Sequence, residues 1–141
     1  MLFRSPGYQL CYKNRNVCKG GGVGAYIKDS IVFKRRKDIE NLQPEFEHMW
    51  LEIPGKNKNS KLLLGVLYRS TRILNSNDWI EKFEDLLSNT VPTWEGMFVM
   101  TGDMNINMFN LSDPLVSRYI GILESFNLTQ HVYKPTRVTP T

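Results

Sequence analysis

The chain has 141 residues, of which 41% are hydrophobic and 23% charged, with a formal net charge of +4. That is the composition of one globular domain with a core of its own, and its mild basicity permits a polyanionic partner without demanding one. No apolar stretch approaches transmembrane length, and the start, Met1 to Pro6, lacks the apolar core of a secretory leader. Cys11 and Cys18 are the only cysteines and do not form a C-x-x-C pair. Neither a zinc site nor a disulfide framework is indicated, and free thiols fit an intracellular setting, nucleus or cytoplasm.

In chain order, Tyr8 to Tyr12 reads as a short strand and Lys13 to Gly22 as a turn ending in three glycines. Val23 to Phe33, rich in Val, Ile, Tyr and Phe, reads as a second strand. The basic run Lys34 to Lys37 reads as a solvated charge run, with contact to a DNA backbone as the alternative. Met49, Leu51 and Ile53 alternate along a half-buried strand. Pro54 to Ser60 is a polar turn. Leu62 to Tyr68 is a nearly continuous apolar run, as in a strand covered on both faces. Ile80, Phe83, Leu86 and Leu87 have helical spacing, with Asn77 or Asp78 as cap. Asp113-Pro114 predicts a helix start, followed by an apolar stripe of Val116, Tyr119, Ile120 and Leu123. Gln130 to Tyr133 reads as a last strand before an open-coil end. Hairpin-like strands first and helices between strands later predict a mixed α/β (α+β) fold with some antiparallel pairing.

The chemistry gathers at Met97 to Asn107. An apolar run there ends in Thr101-Gly102-Asp103-Met104-Asn105. Side chains two apart on an extended chain point the same way, so Asp103 and Asn105 are expected to face one small site. A carboxylate can take a proton or hold a cation, and a carboxamide can hold a water or a phosphate oxygen. Phosphodiester hydrolysis needs that combination. Tyr68 and Arg69, at the end of another apolar run, suit phosphate contact. Other groups carry less. Gly20 to Ala25 nominally fits G-x-G-x-x-A, but no apolar strand precedes it and a strand-like run follows where a helix is needed, so it reads as a hairpin turn. His48 is expected on the solvent face of its strand, and His131 follows a helix; neither has a recognisable partner. Glu45 and Glu47 read as surface strand positions, with metal ligation as the alternative.

Taken in order, several groups resemble one family. They are Pro6-Gly7-Tyr8, Gly20 to Val23 leading into Tyr26-Ile27-Lys28, and Glu47-His48-Met49-Trp50-Leu51-Glu52-Ile53. Gly65-Val66-Leu67-Tyr68-Arg69, Gly102-Asp103-Met104-Asn105-Ile106-Asn107 and Pro135-Thr136-Arg137 follow. This order resembles the endonuclease domain of non-LTR (LINE-type) retrotransposons, in the DNase I-like endonuclease/exonuclease/phosphatase superfamily. The resemblance covers almost the whole of residues 1–141 as a single partial domain. It implies a four-layer α/β/β/α sandwich, incomplete here, and Mg²⁺-dependent nicking of DNA. It implies Asp103, Asn105 and Tyr68 as catalytic groups, Asp103 as a metal ligand, and Arg69, Thr136 and Arg137 as substrate contacts. A reverse transcriptase domain in a parent polyprotein is the implied companion. The family's early Asn and metal-binding Glu, and its terminal Ser-Asp-His group, are expected outside Met1 to Thr141. The chain therefore reads as a truncated copy, weakly active or inactive. The alternatives are a non-catalytic nucleic-acid-binding remnant and a phosphoesterase of the same superfamily acting on small substrates. Tyr68-Arg69-Ser70-Thr71 departs from the family's Tyr-Arg-Pro-Pro.

Overall fold

In the computed structural model, which describes residues 5–15 and 21–138, strands β1 (Tyr8–Lys13) and β2 (Val23–Lys28) pair antiparallel from Tyr8 opposite Lys28 to Lys13 opposite Val23. The readings at Met1 to Arg4, Cys18, Gly20 and Thr139 to Thr141 lie outside the described residues. The second strand is shorter than its composition suggests. It stops at Lys28, where the Ile31 N–H donates to the Lys28 carbonyl at 2.9 Å and closes a turn through Asp29 and Ser30. Asp and Ser favour such turns through their own side-chain oxygens.

Next come β3 (Lys34–Arg35), the one-turn helix α1 (Lys37–Glu40), β4 (Glu47–Ile53) and β5 (Leu62–Tyr68). Helix α2 (Ser76–Thr90), β6 (Met97–Asp103) and α3 (Pro114–Ser125) complete the described elements. A four-stranded sheet runs in the order β3-β4-β5-β6, antiparallel except for the parallel pair β5·β6, which α2 connects. Among the described residues the fold is thus mixed α/β, with two sheets and three helices. The basic run divides between β3 and α1: Lys34 and Lys37 are exposed as expected, whereas Arg35 and Arg36 are half-buried and paired. Arg35 donates to both Glu40 carboxylate oxygens at 3.1 and 3.0 Å, and Arg36 to Asp38 and Glu52.

The two faces of the larger sheet are covered differently. Trp50, Leu63 and Leu67 pack with Trp79, Ile80, Phe83 and Leu86 of α2 and Tyr119 of α3. Phe46, Trp79, Phe83 and Tyr119 stack in sequence, with centroids 5.6, 4.8 and 5.4 Å apart. Gly65, opposite Trp50, makes room for the indole: a Cβ there would lie 2.6 Å from its ring carbons. On the other face Met49 and Leu51 pack with Ile27, and Cys11, Val23, Ala25 and Val66 flank them. The β1–β2 hairpin therefore lies against β4 and β5. Covered on both sides, Met49, Trp50 and Leu51 are all fully buried, more than the half-buried pattern expected of β4.

His48 is also fully buried, which corrects the expectation that it faces solvent. Its Nε2 lies 3.0 and 3.1 Å from the Glu40 and Gln43 carbonyls, and its Nδ1 accepts the Trp50 indole N–H at 3.0 Å. The ring is thus a neutral Nε2–H tautomer pinning the segment after α1 to β4, and burial pushes its pKa down to about 4.

Helix α2 is capped by Asn75 instead of Asn77 or Asp78: its side chain accepts the Asp78 N–H at 2.8 Å and donates to the Asp78 carboxylate at 2.9 Å. Helix α3 starts as the sequence predicts, on Asp113 with Pro114 in first position. It ends before Asn127, whose φ of 58° turns the chain away. Gln130 to Tyr133 is not a strand. It is coil, with Val132 and Tyr133 exposed, so the apolar pattern there finds no strand to pair with among the described residues.

Candidate functional site

Strands β5 and β6 run parallel and end together at Tyr68 and Asp103, which are register partners. In α/β sheets the loops beyond the carboxyl ends of parallel strands are where ligands are bound. Gly102 permits this close pairing. Its φ is 132°, and a Cβ would sit 1.8 Å from the Leu67 carbonyl oxygen, so no other residue fits without displacing β5.

β6 stops at Asp103, and Asn105 is not extended. Its φ is 50°, a left-handed conformation that Asn tolerates better than most residues. One Asp103 carboxylate oxygen accepts the Asn105 N–H at 2.9 Å, the signature of an Asx turn. The Asp103 carboxylate is therefore tied to the Asn105 backbone by a turn, and the two side chains are not set by the two-residue alternation of a strand. The Asn105 carboxamide donates to the Arg69 carbonyl at 2.7 Å, which leaves its own oxygen turned the other way. Asp103 and Asn105 are both exposed. Asp103 makes no other side-chain hydrogen bond among the described residues, so its second oxygen is available to a water, a cation or a proton.

Arg69 follows β5 directly and is only 4% exposed. Its guanidinium is turned inward to the carbonyls of Met104 and Asn105, at 3.3 and 3.0 Å, and to the Ser76 hydroxyl at 2.8 Å. It lies against the Trp79 ring, 5.4 Å from the centroid. Burial pulls its pKa down, partly offset by the Asp113 carboxylate. In this position it supports the Asp103–Asn105 turn from beneath and presents nothing to a ligand.

Tyr68 is half-buried, and the Arg15 guanidinium lies 5.8 Å from its ring centroid. On its other side its register partner is Glu47, so Glu47, Tyr68 and Asp103 form one row across β4, β5 and β6. Glu47 is buried, not a surface position: it is ion-paired with Arg15 and accepts the Gly22 N–H at 3.1 Å. The row thus has one neutralised carboxylate and one open one. The alternation of β4 hides Glu47, because its burial depends on a loop some 25 residues away. Glu45 remains exposed.

Thr136 and Arg137 lie in the exposed segment after α3, outside any helix or strand, as does His131. Two cavities lie elsewhere. One of about 470 Å³ sits near Arg36, Lys61 and Trp94, and a groove of about 740 Å³ runs between α2 and α3; neither is lined by Tyr68, Asp103 or Asn105. The candidate site is an open strand-end surface.

Mg²⁺ binds through one or two carboxylates, substrate phosphate and retained waters. Asp103 supplies one carboxylate oxygen and Asn105 one carboxamide oxygen. Among the described residues no group of three or more His, Cys, Asp or Glu side chains is placed to hold a metal. These two oxygens are the donors that a largely hydrated ion would meet at this end of the sheet. No family model, no curated protein and no solved structure matches the chain. Among the described residues no helix is long and apolar enough to cross a membrane.

Proposed function

We propose that this chain is a Mg²⁺-dependent DNA endonuclease domain of the non-LTR retrotransposon type, hydrolysing phosphodiester bonds at Asp103. The observation that carries the reading is the available Asp103 carboxylate oxygen, held beside Tyr68 at the ends of β5 and β6 by a turn that also fixes Asn105. Asp103 orients a water and takes its proton as the water oxygen bonds to phosphorus. The bond from phosphorus to the leaving sugar oxygen breaks, and that oxygen takes a proton from solvent. Asn105 holds the water or a phosphate oxygen through its free amide positions, and Tyr68 contacts the phosphate. When bound, Mg²⁺ would supply neutralisation of charge on the phosphate. In this reading the hairpin, the larger sheet and the helices correspond to three of the four layers of a DNase I-like sandwich. Thr136 and Arg137 are substrate contacts brought in when DNA binds, and a reverse transcriptase is the companion domain.

The open site favours DNA over a small phosphoester, since small-molecule sites bury most of their ligand in a cleft. The net charge of +4 suits a polyanion. Activity is expected to be slow and to require high Mg²⁺, because a single carboxylate, Asp103, would hold the ion. The test is nicking of supercoiled plasmid against hydrolysis of p-nitrophenyl phosphate, with and without Mg²⁺. Slow Mg²⁺-dependent nicking with no p-nitrophenol release is expected. Binding without nicking at any Mg²⁺ concentration would contradict it in favour of a non-catalytic nucleic-acid-binding domain, and release of p-nitrophenol in favour of a small-substrate phosphoesterase.

A further inference from the structure

A buried guanidinium with no hydrogen-bonded carboxylate needs a reason. Arg69 is such a group. Its donors go to two carbonyls and one hydroxyl, and its Nε is buried without a partner. An apolar side chain of similar size would pack against Trp79 with less desolvation. What an apolar residue could not do is hold the turn beyond β6.

The ties between Arg69 and that turn run in both directions. The Arg69 N–H donates to the Asp103 carbonyl at 2.8 Å, and the Arg69 carbonyl accepts the Asn105 carboxamide. The guanidinium Nη1 reaches the next two carbonyls, Met104 and Asn105, while Nη2 anchors on Ser76 at the start of α2. Asn105 sits at positive φ, a conformation that persists only where surrounding contacts over-determine it. Met104 and Ile106 pack against the helix-side core, but among the described residues the hydrogen bonds that hold Asp103 to Asn105 beyond the Asx turn itself all come from Arg69. The fork geometry matters: a planar guanidinium serves carbonyls and a hydroxyl at fixed angles, whereas an ammonium is a single point.

We infer that Arg69 is a positioning residue for the Asp103 site, clamping the Asp103-Met104-Asn105 turn so that the carboxylate and the carboxamide keep one relative placement. This rests on the endonuclease reading for its consequence in catalysis, but the clamp itself is a property of the turn. The guanidinium touches no substrate, and it joins the geometry of the site to the start of α2.

The experiment uses the full chain with Arg69→Met, which keeps bulk and loses every donor of the side chain, and Arg69→Lys, which keeps the charge and loses the fork. Two quantities are read. The first is amide hydrogen exchange at Asn105, whose N–H is the Asx-turn bond, against Val66 in the middle of β5. The second is the kcat and KM of plasmid nicking, with Asp103→Asn as reference. Exchange at Asn105 should rise at least roughly tenfold in Arg69→Met with Val66 unchanged, and Arg69→Lys should recover part of the protection. The kcat should fall roughly 10- to 100-fold with KM little altered, as a displaced catalytic group requires. If the parent chain does not nick DNA, the exchange result still decides the clamp, so the two readings fail separately. Unchanged Asn105 exchange in both variants would overturn the inference. So would an equal rise at Asn105 and Val66 in both, which would make Arg69 a residue of the fold at large.

Discussion

The helix-facing and hairpin-facing sides of the larger sheet are built from the same strands but are closed to different degrees. On the helix side every second residue of β5 is buried (Leu63, Gly65, Leu67), and four aromatic rings stack from Phe46, before β4, through α2 to α3. On the hairpin side the matching β5 residues, Leu62, Leu64, Val66 and Tyr68, are only half-buried. The hairpin reaches β4 and β5 but leaves β6 uncovered, with Met97 59% and Val99 41% exposed. Among the described residues β6 is also an edge strand. The difference separates the region that supplies the core from the region that carries the candidate site. The helix side supplies the core, and the open row Glu47–Tyr68–Asp103 ends on the side with least cover.

The largest effect should come from the helix side. Phe83→Ala removes the centre of the aromatic stack and should cost about 3–5 kcal/mol. Ile27→Ala, on the hairpin side, should cost about 2 kcal/mol, at the low end for its type, because the hairpin can settle onto the gap. Urea unfolding of both variants measures this. Equal losses would abolish the distinction between the faces.

The polar staple on the helix side gives a pH dependence. His48 has a folded pKa of about 4 against the ordinary 6.5, so the folded state resists protonation that the unfolded chain accepts. Its contribution is complete above pH 6.5 and is lost as pH falls towards 4. Between pH 7 and pH 5 the loss should be about 2 kcal/mol. Unfolding free energies of the parent and of His48→Gln at both pH values isolate it. An identical pH dependence in the two proteins would mean that His48 is not held neutral.

The smallest effect on stability should come from β6. Val99→Lys places a charge on an exposed edge and should change unfolding free energy by no more than about 0.5 kcal/mol. It should nevertheless suppress self-association, because an open edge with exposed apolar residues invites strand pairing between chains. Sedimentation velocity over a concentration series checks this. A parent chain that stays monomeric throughout would show that the edge is protected some other way.

Much of this fold is legible in the sequence, because β4, α2 and α3 carry their periods openly and β5 and β6 show as apolar runs. What is not legible depends on distant partners. His48 and Glu47 look like surface residues of a strand until the Glu40 and Gln43 carbonyls and Arg15 are brought to them. Gln130 to Tyr133 has the composition of a strand but pairs with none among the described residues. At the site, Tyr68 and Asp103 could be read as strand ends, and their pairing follows. The Asn105 turn had a signal that alternation overrode: Asp-x-Asn after glycine is also an Asx-turn pattern. The burial of Arg69 had none, since its carbonyl partners lie 35 and 36 residues along the chain.

The most direct test is the rate of Mg²⁺-dependent plasmid nicking by Asp103→Asn relative to the parent chain. The substitution keeps shape and the turn's acceptor oxygen but removes the base and the charge. A fall of roughly 10²–10⁴ in rate, with the thermal unfolding midpoint unchanged, is expected of a group that takes the water's proton. Equal nicking by the two proteins would place the chemistry elsewhere and remove Asp103 from the centre of the site.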